Sequence, residues 1–255
     1  MTLKTLLLAA SATLAISATS AAASPFDSAS LTYGYDTMDY GDNYDTDMSW
    51  ARVDLGFDVL GLDADFAMTQ GALGEDNQTT ALSFALGKDF EGTTFGLFYD
   101  VPLLEGEDQD VRHYGATVGF EFAGLGIDGY AGRGDFDVDQ SRVFGASVHG
   151  DLGAGLDAGA FYNYEGFDEE DIAVSERGVS LGYTISALPL EMHVNAYVSE
   201  TSVDFDFLEQ DVKRLGFTVS VPLQAGGATE KGRLRPYEHS TLYSEFGYGE
   251  ASMMR

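Results

Sequence analysis

The stretch VKRLGFTVSVPLQ, residues 212–224, alternates between apolar side chains and small or polar ones. Successive side chains of a β-strand point to opposite faces, so this stretch predicts a strand with one oily face and one wet face. The oily face consists of Leu215, Phe217, Val219, Val221 and Leu223. About a dozen segments follow the same period of two, near residues 28–36, 48–59, 62–71, 79–88, 93–103, 112–122, 125–133, 142–151, 155–165, 176–186, 189–199 and 212–223.

The connections between these segments alternate in length. The short ones are Leu60-Gly61, Asp89 to Gly92, Ala123-Gly124, Gly153-Ala154 and Ala187-Leu188, and the long ones are residues 37–47, 72–78, 104–111, 134–141, 166–175 and 200–211. Tight turns on one side and longer loops on the other are typical of a transmembrane antiparallel β-barrel. We therefore expect an all-β barrel of about 12 strands over residues 24–224.

The last thirty residues leave the strand count open, because residues 241–249 resemble one more strand. Either residues 212–223 close the barrel and residues 225–255 form a periplasmic tail, or residues 225–255 contain the closing strand. The second arrangement raises the count to 14.

The apolar faces of the segments carry no charged residue. Lipid contact explains this, because a cationic side chain at the middle of a bilayer costs such barrels about 2–4 kcal/mol. The rival fold is a soluble β-sandwich or a lipocalin-like barrel whose apolar faces point inward. About a dozen such strands would overfill a small barrel, so the membrane barrel is preferred.

The N-terminus has the pattern of an export signal. Lys4 gives a short positive start, residues 6–16 form an apolar run, and Ala21-Ala22-Ala23 offers small residues for cleavage. The run is too short to span about 30 Å of hydrocarbon. We expect residues 1–23 to be a cleaved signal peptide that directs the chain out of the cytoplasm.

The composition restricts the chemistry. The chain has no cysteine, which excludes disulfides and thiolate metal sites, and its formal net charge of −29 makes nucleic acid an unlikely partner. The pattern G-x-S-x-G at residues 178–182 falls in the middle of a predicted strand, whereas a nucleophile elbow needs a strand-to-helix bend. The sequence therefore predicts no enzyme, no cofactor and no metal site.

The parity opposite to the apolar faces would line the lumen. The charged residues and histidines of this parity are predicted to line the pore and are mainly acidic. They are Arg52, Asp54, Asp58, Asp63, Asp65, His113, Glu121, His149, Asp157, Glu191 and His193. Arg52 is expected to face some of the acids across the bore. The three histidines are interpreted as polar lumen residues, with a metal or acid–base site as the alternative.

Further acids cluster in the predicted loops, at Asp36, Asp39, Asp42, Asp45 and Asp47 and again near residues 105–110 and 168–171. Such runs are usually solvated loops. The alternative is a funnel that attracts cations to the outer mouth of the barrel.

The export signal, the alternating strands and acidic loops such as Asp42-Asn43-Tyr44-Asp45 resemble porin-type outer-membrane barrels of proteobacteria. The resemblance covers residues 1–224 and implies passive transport in the outer membrane of a Gram-negative bacterium. It also implies contact with outer-membrane lipid and lipopolysaccharide, and with the barrel-assembly machinery.

Together these observations predict a narrow passive channel for small solutes, preferentially cationic ones, because rings of acidic side chains select cations. The alternative is a non-conducting structural or surface-interaction barrel whose acidic loops bind cations.

Overall fold

The structure of the protein, a computed structural model, describes residues 27–41, 45–73, 77–104, 111–136, 140–168, 172–186, 191–205 and 208–223. They form a barrel of 12 strands, which are β1 (Ser28–Asp39), β2 (Asp45–Val59), β3 (Leu62–Leu73), β4 (Asn77–Phe90), β5 (Thr93–Leu104), β6 (Arg112–Phe122), β7 (Leu125–Asp135), β8 (Gln140–Gly153), β9 (Leu156–Phe167), β10 (Ala173–Ile185), β11 (Met192–Phe205) and β12 (Leu208–Pro222). The predicted signal peptide and the residues after 223 lie outside the described part of the chain.

The barrel closes between its first and last strands. Every strand pairs antiparallel with its neighbours in sequence, and β1 pairs with β12 with Tyr35 opposite Phe217. Because both edges of β1 and of β12 are occupied, the prediction of 12 strands is confirmed and the alternative of 14 is wrong. No helix with the length and hydropathy to cross a membrane occurs among the described residues.

One end of the barrel, called here the turn end, is built from two-residue turns. Leu60-Gly61 and Ala123-Gly124 are turns as predicted, whereas the other two are Glu91-Gly92 and Ala154-Gly155. Both residues of each turn have positive φ, for example 59° and 78° at Leu60 and Gly61. That geometry matches the right-handed twist of the flanking strands and requires glycine at the second position.

The opposite end, called the loop end, has shorter connections than the sequence predicted. β11 ends at Phe205 and β12 begins at Leu208, where a loop over 200–211 was expected. The strands continue because polar residues there pair across strands, as Glu200 does with both Arg177 and Lys213. The predicted turn Ala187-Leu188 between β10 and β11 lies outside the described residues. The length asymmetry is therefore weaker than predicted.

The two faces of the wall divide as the period-two pattern requires. Large apolar side chains that remain exposed lie on the predicted lipid-facing parity of nearly every strand, and include Phe84, Leu97, Tyr114, Phe120, Phe144, Leu181, Val198, Leu215 and Phe217. The other parity points into the bore. The outside of the barrel is therefore an apolar belt.

Inside the bore, large rings lie over glycines of the neighbouring strand. Trp50 is the register partner of Gly34, and Tyr197 is the partner of Gly216. A Cβ atom built on either glycine would collide with the partner ring. Glycine within a strand often marks such a close approach. These glycines let a narrow bore hold aromatic side chains.

Candidate functional site: the barrel lumen

The inward face of the wall holds far more acidic than basic side chains. Eight of the 13 Lys and Arg residues lie in the described strands, and the register of the strands turns two of them, Arg52 and Arg214, into the bore. The inward acids of the described strands are Asp36, Asp54, Asp58, Asp63, Asp65, Asp89, Asp100, Glu121, Asp128, Asp151, Asp157, Glu165 and Glu176. The bore is consequently acidic along the described strands.

The half of the bore near the turn end is open to water and is called here the open section. Asp63 and Glu121 are exposed there, and Asp65 is half-buried. A cavity of about 90 Å³ extends along this wall, and its polar lining includes Asp63, Asp65, Asp100 and Asp128. A space of this size holds a few waters. Carboxylates in such a wet space attract cations.

Arg52 forms an ion pair with an acid of its own strand. Its Nε donates to Asp54 Oδ1 at 2.8 Å, and its Nη2 contacts the same carboxylate oxygen. The two residues are neighbours on the inward face of β2, so local pairing is geometrically simpler than a contact across the lumen. Arg52 therefore neutralises at least Asp54.

Two predicted pore-lining acids lie at the margin of the lumen. Asp58 is exposed beside the first turn, where its Oδ1 accepts the N–H of Gly61 at 3.0 Å. Glu191 is exposed and precedes β11, which begins at Met192. The sequence placed Glu191 in a strand over 189–199. This prediction is corrected, because β11 begins to pair with β10 at Met192, the residue after Glu191.

The three lumen histidines do not meet; each pairs with its own carboxylate. Nε2 of His113 lies 2.8 Å from Glu165 Oε1, and Nε2 of His193 lies 2.8 Å from Asp157 Oδ2. Nδ1 of His149 lies 3.5 Å from Asp128 Oδ2.

His113 is near the loop end and the other two are near the turn end, as the sequence indicated. Within the described ranges, no group of three or more His, Asp or Glu residues could hold a metal ion. The interpretation as polar lumen residues fits this geometry better than a metal site.

The half of the bore near the loop end, called the packed section, is filled with hydrogen-bonded polar side chains. Asp36 is fully buried, accepts the Trp50 Nε1–H at 2.9 Å, and also binds the hydroxyl of Tyr197. The sequence placed Asp36 in a solvated loop, but β1 continues to Asp39 and turns this carboxylate inward.

A second buried group in the packed section centres on Glu176. This carboxylate accepts hydrogen bonds from Ser199 Oγ at 2.7 Å and from Asn163 Nδ2 at 3.4 Å. The guanidinium of Arg214 lies 3.9 Å from it and is itself 9% exposed. Removing one partner of such a buried pair would leave an uncompensated buried charge.

Apolar side chains of five adjacent strands cluster inside the bore beyond these polar groups. Met38, Met48, Val174, Val203 and Val212 form one buried cluster against Tyr40 and Trp50. All five point inward from β1, β2, β10, β11 and β12. The lumen therefore has a wet acidic half and a dry, packed half.

Most of the packed section was not predicted from the sequence. Asp100, Glu165 and Glu176 share the inward parity of their strands, so parity was the available signal. Glu176 starts the predicted strand over 176–186 and Glu165 ends the strand over 155–165, where the alternation of apolar residues fades. Their burial depends on partners on other strands, which the local pattern does not contain.

Comparisons with known proteins identify the fold. No protein-family model matches the chain, and no curated protein matches its sequence. Among solved structures, a KdgM porin has a TM-score of 0.51 at 10% sequence identity and covers 74% of this chain and 97% of its own. A NanC porin has a TM-score of 0.53 at 9% identity and covers 73% of this chain and 98% of its own.

A further solved structure of the KdgM porin, in complex with disordered oligogalacturonate, has the same TM-score of 0.51 at 10% identity. Likeness at this level of identity establishes the fold. The chain is a porin-like, closed and wholly antiparallel β-barrel of 12 strands.

Proposed function

We propose that the protein lies in the outer membrane of a Gram-negative bacterium and is a narrow passive channel that prefers small cationic solutes. The location is supported by the exposed apolar belt, which a protein surrounded by water would have no reason to keep on its outer surface. Export by a cleaved signal peptide and assembly by the barrel-assembly machinery belong to the same proposal.

The acidic wall of the open section carries the proposal of cation preference. Asp63 and Asp65 line the cavity with no Lys or Arg among its lining residues. A unit charge about 4 Å from a cation contributes about 1 kcal/mol in water and more where water is partly excluded. Two such carboxylates raise the local cation concentration and lower that of anions. Oligogalacturonate, a chain of carboxylates, would be repelled by this lumen.

The packed section sets the size limit in this proposal. A permeant cation has to pass the buried carboxylates of Asp36 and Glu176, and then the apolar cluster that includes Met38 and Met48. Flexible methionines can change rotamer more easily than branched side chains. We therefore expect small and intermittent conductance steps, and no passage of extended polymers.

The test is conductance in planar bilayers under a salt gradient, with Asp63→Asn/Asp65→Asn beside the wild type. The expected result is a reversal potential of the cation-selective sign, which moves toward zero in the double variant. Asp45→Asn/Asp47→Asn is the matched control, because these exposed acids lie on the outward face of β2. Anion selectivity, or an equal shift in the control, would contradict the proposal.

A second function is favoured by one observation, the dry packing of the loop-end half of the bore. A barrel whose lumen is permanently filled would serve as a structural or surface-interaction protein. Bilayers that stay silent although the barrel inserts correctly would support this alternative over the channel.

A further inference from the structure

The wall of the open section contains a recess with a floor of small side chains. Three adjacent strands, β4, β5 and β6, form this floor with inward residues that include Ser83, Ala85, Gly87, Gly96 and Gly119. All five line the cavity of the open section. Because these residues are small, the backbone of the wall is open to close approach, and the floor can hold the body of a ligand.

Carboxylates lie on both sides of the recess. Asp63 and Asp65 line it from β3, and Asp128 lines it from β7. β3 and β7 are four strands apart in the barrel. At about 4.8 Å between neighbouring strands, their backbones are about 19 Å apart along the wall, and the inward side chains shorten this separation. Within the described ranges, no group of three or more His, Asp or Glu residues could hold a metal ion, so the charge is dispersed over the recess.

A buried hydroxyl without a partner lies beside the carboxylate of β7. Ser147 is the register partner of Asp128 and is 8% exposed, and its Oγ has no hydrogen-bond partner among the described residues. Buried polar groups in folded proteins normally have such a partner. An ammonium group bound at Asp128 would supply one, because it carries three N–H donors and the hydroxyl oxygen can accept.

The recess keeps its negative charge when the undescribed residues are counted. At the turn end, the connection over residues 187–190 reads Ala-Leu-Pro-Leu and has no charge. Residues 224–255 follow β12 at the same end and contain four acidic and four basic residues. The undescribed acidic loops belong to the opposite end of the barrel. Lys88 lies on the outward face of β4, and no Lys or Arg lines the cavity.

We propose that the recess binds a linear aliphatic polyamine, with one ammonium group at Asp65 and another between Asp128 and Ser147. The methylene chain lies over the small side chains of β4, β5 and β6. Two ammonium groups joined by an apolar chain match two separated carboxylates better than a single metal ion does. This inference rests on the cation preference proposed above and narrows it to one class of solute.

The test is isothermal titration calorimetry of the full-length protein in detergent, with spermidine and with linear diamines from ethylenediamine to diaminodecane. Affinity should rise with chain length until both ammonium groups reach their carboxylates at the same time, because the second contact is then intramolecular. Mg²⁺ carries the charge of a diamine without its length and should bind about tenfold more weakly than the best diamine. Affinity that does not depend on chain length, or equal affinity for Mg²⁺, would overturn the proposal.

Three variants test the contacts. Asp65→Asn and Asp128→Asn should each lower the affinity for spermidine about tenfold and abolish the dependence on diamine length, because one charged contact is lost. Ser147→Ala should lower the affinity about threefold. The matched control is Asp45→Asn/Asp47→Asn, which removes two acids from the outward face of β2 and should bind like wild type. An equal loss in the control would overturn the proposal.

The mobility of the folded barrel on a gel shows whether each variant folds. If Asp128→Asn does not fold, Asp65→Asn and the diamine series of the wild type still decide the outcome. A wild type that is cation-selective in bilayers but does not bind spermidine would overturn this inference and leave the proposed channel intact. Length-dependent binding by a barrel that stays silent in bilayers would support the polyamine site and refute the channel.

Discussion

A charge placed on the outer belt should destabilise the barrel by an amount that the depth of the site determines. Leu97 points outward from β5 and is 63% exposed. It lies four residues beyond Thr93, the first residue of the strand. At about 3.4 Å per residue and a tilt of about 40°, Leu97 is about 10 Å above the turn end, in an apolar band about 25 Å tall. Leu97→Arg thus places a guanidinium near the midplane, and we expect a loss of about 2–3 kcal/mol.

The assay is equilibrium unfolding by denaturant in lipid vesicles, followed by the mobility difference between folded and unfolded barrel on a gel. The matched control is Leu60→Arg, because Leu60 is 97% exposed in a turn outside the apolar band. It should change the free energy of unfolding by about 0–1 kcal/mol. Equal effects of the two substitutions, or no effect of Leu97→Arg, would refute the assignment of the outer face to lipid.

Three other predictions concern the lumen. Glu165 accepts buried hydrogen bonds from His113 and Ser141. Glu165→Ala removes this acceptor and should lower the free energy of unfolding by about 3–5 kcal/mol in the same vesicle assay. Glu165→Gln should lower it by less. Gly216→Ala should displace the Tyr197 ring and cost about 1–3 kcal/mol; a neutral result would contradict the close approach. Asp63→Asn/Asp65→Asn should reduce cation selectivity in bilayers without changing stability by more than about 0.5 kcal/mol, and a large loss of stability would indicate that these carboxylates are structural.

The sequence predicts the wall of the barrel well because the information is local. The alternation of side chains within one strand shows which face Leu215 and Phe217 occupy. A shift of the strand register by one residue would move them to the opposite face. All 12 strands and the parity of their faces follow from this rule. The ends of the strands cannot be predicted from this rule. Strand pairing continues through polar residues such as Glu200, beyond the point where the alternation of apolar residues ends.

The interior of the lumen could be predicted only as a list of inward residues. The hydrogen bond between Tyr197 and Asp36 joins residues 161 positions apart, and it exists because β1 and β11 both flank β12 in a closed barrel. Whether two inward side chains meet depends on the register and the diameter of the barrel. For the same reason Arg52, which the sequence placed opposite other acids, pairs with Asp54 on its own strand.

The absence of native cysteine makes one measurement especially direct. Single cysteines at positions 63, 65, 66 and 68 of β3, labelled with a fluorophore in bilayers, can be quenched either by a water-soluble quencher or by a lipid-bound one. We expect labels that replace Asp63 and Asp65 to respond to the aqueous quencher, and labels that replace Phe66 and Met68 to respond to the lipid-bound quencher. The same response at all four positions, or the reverse assignment, would contradict a lipid-facing apolar wall around a wet acidic lumen.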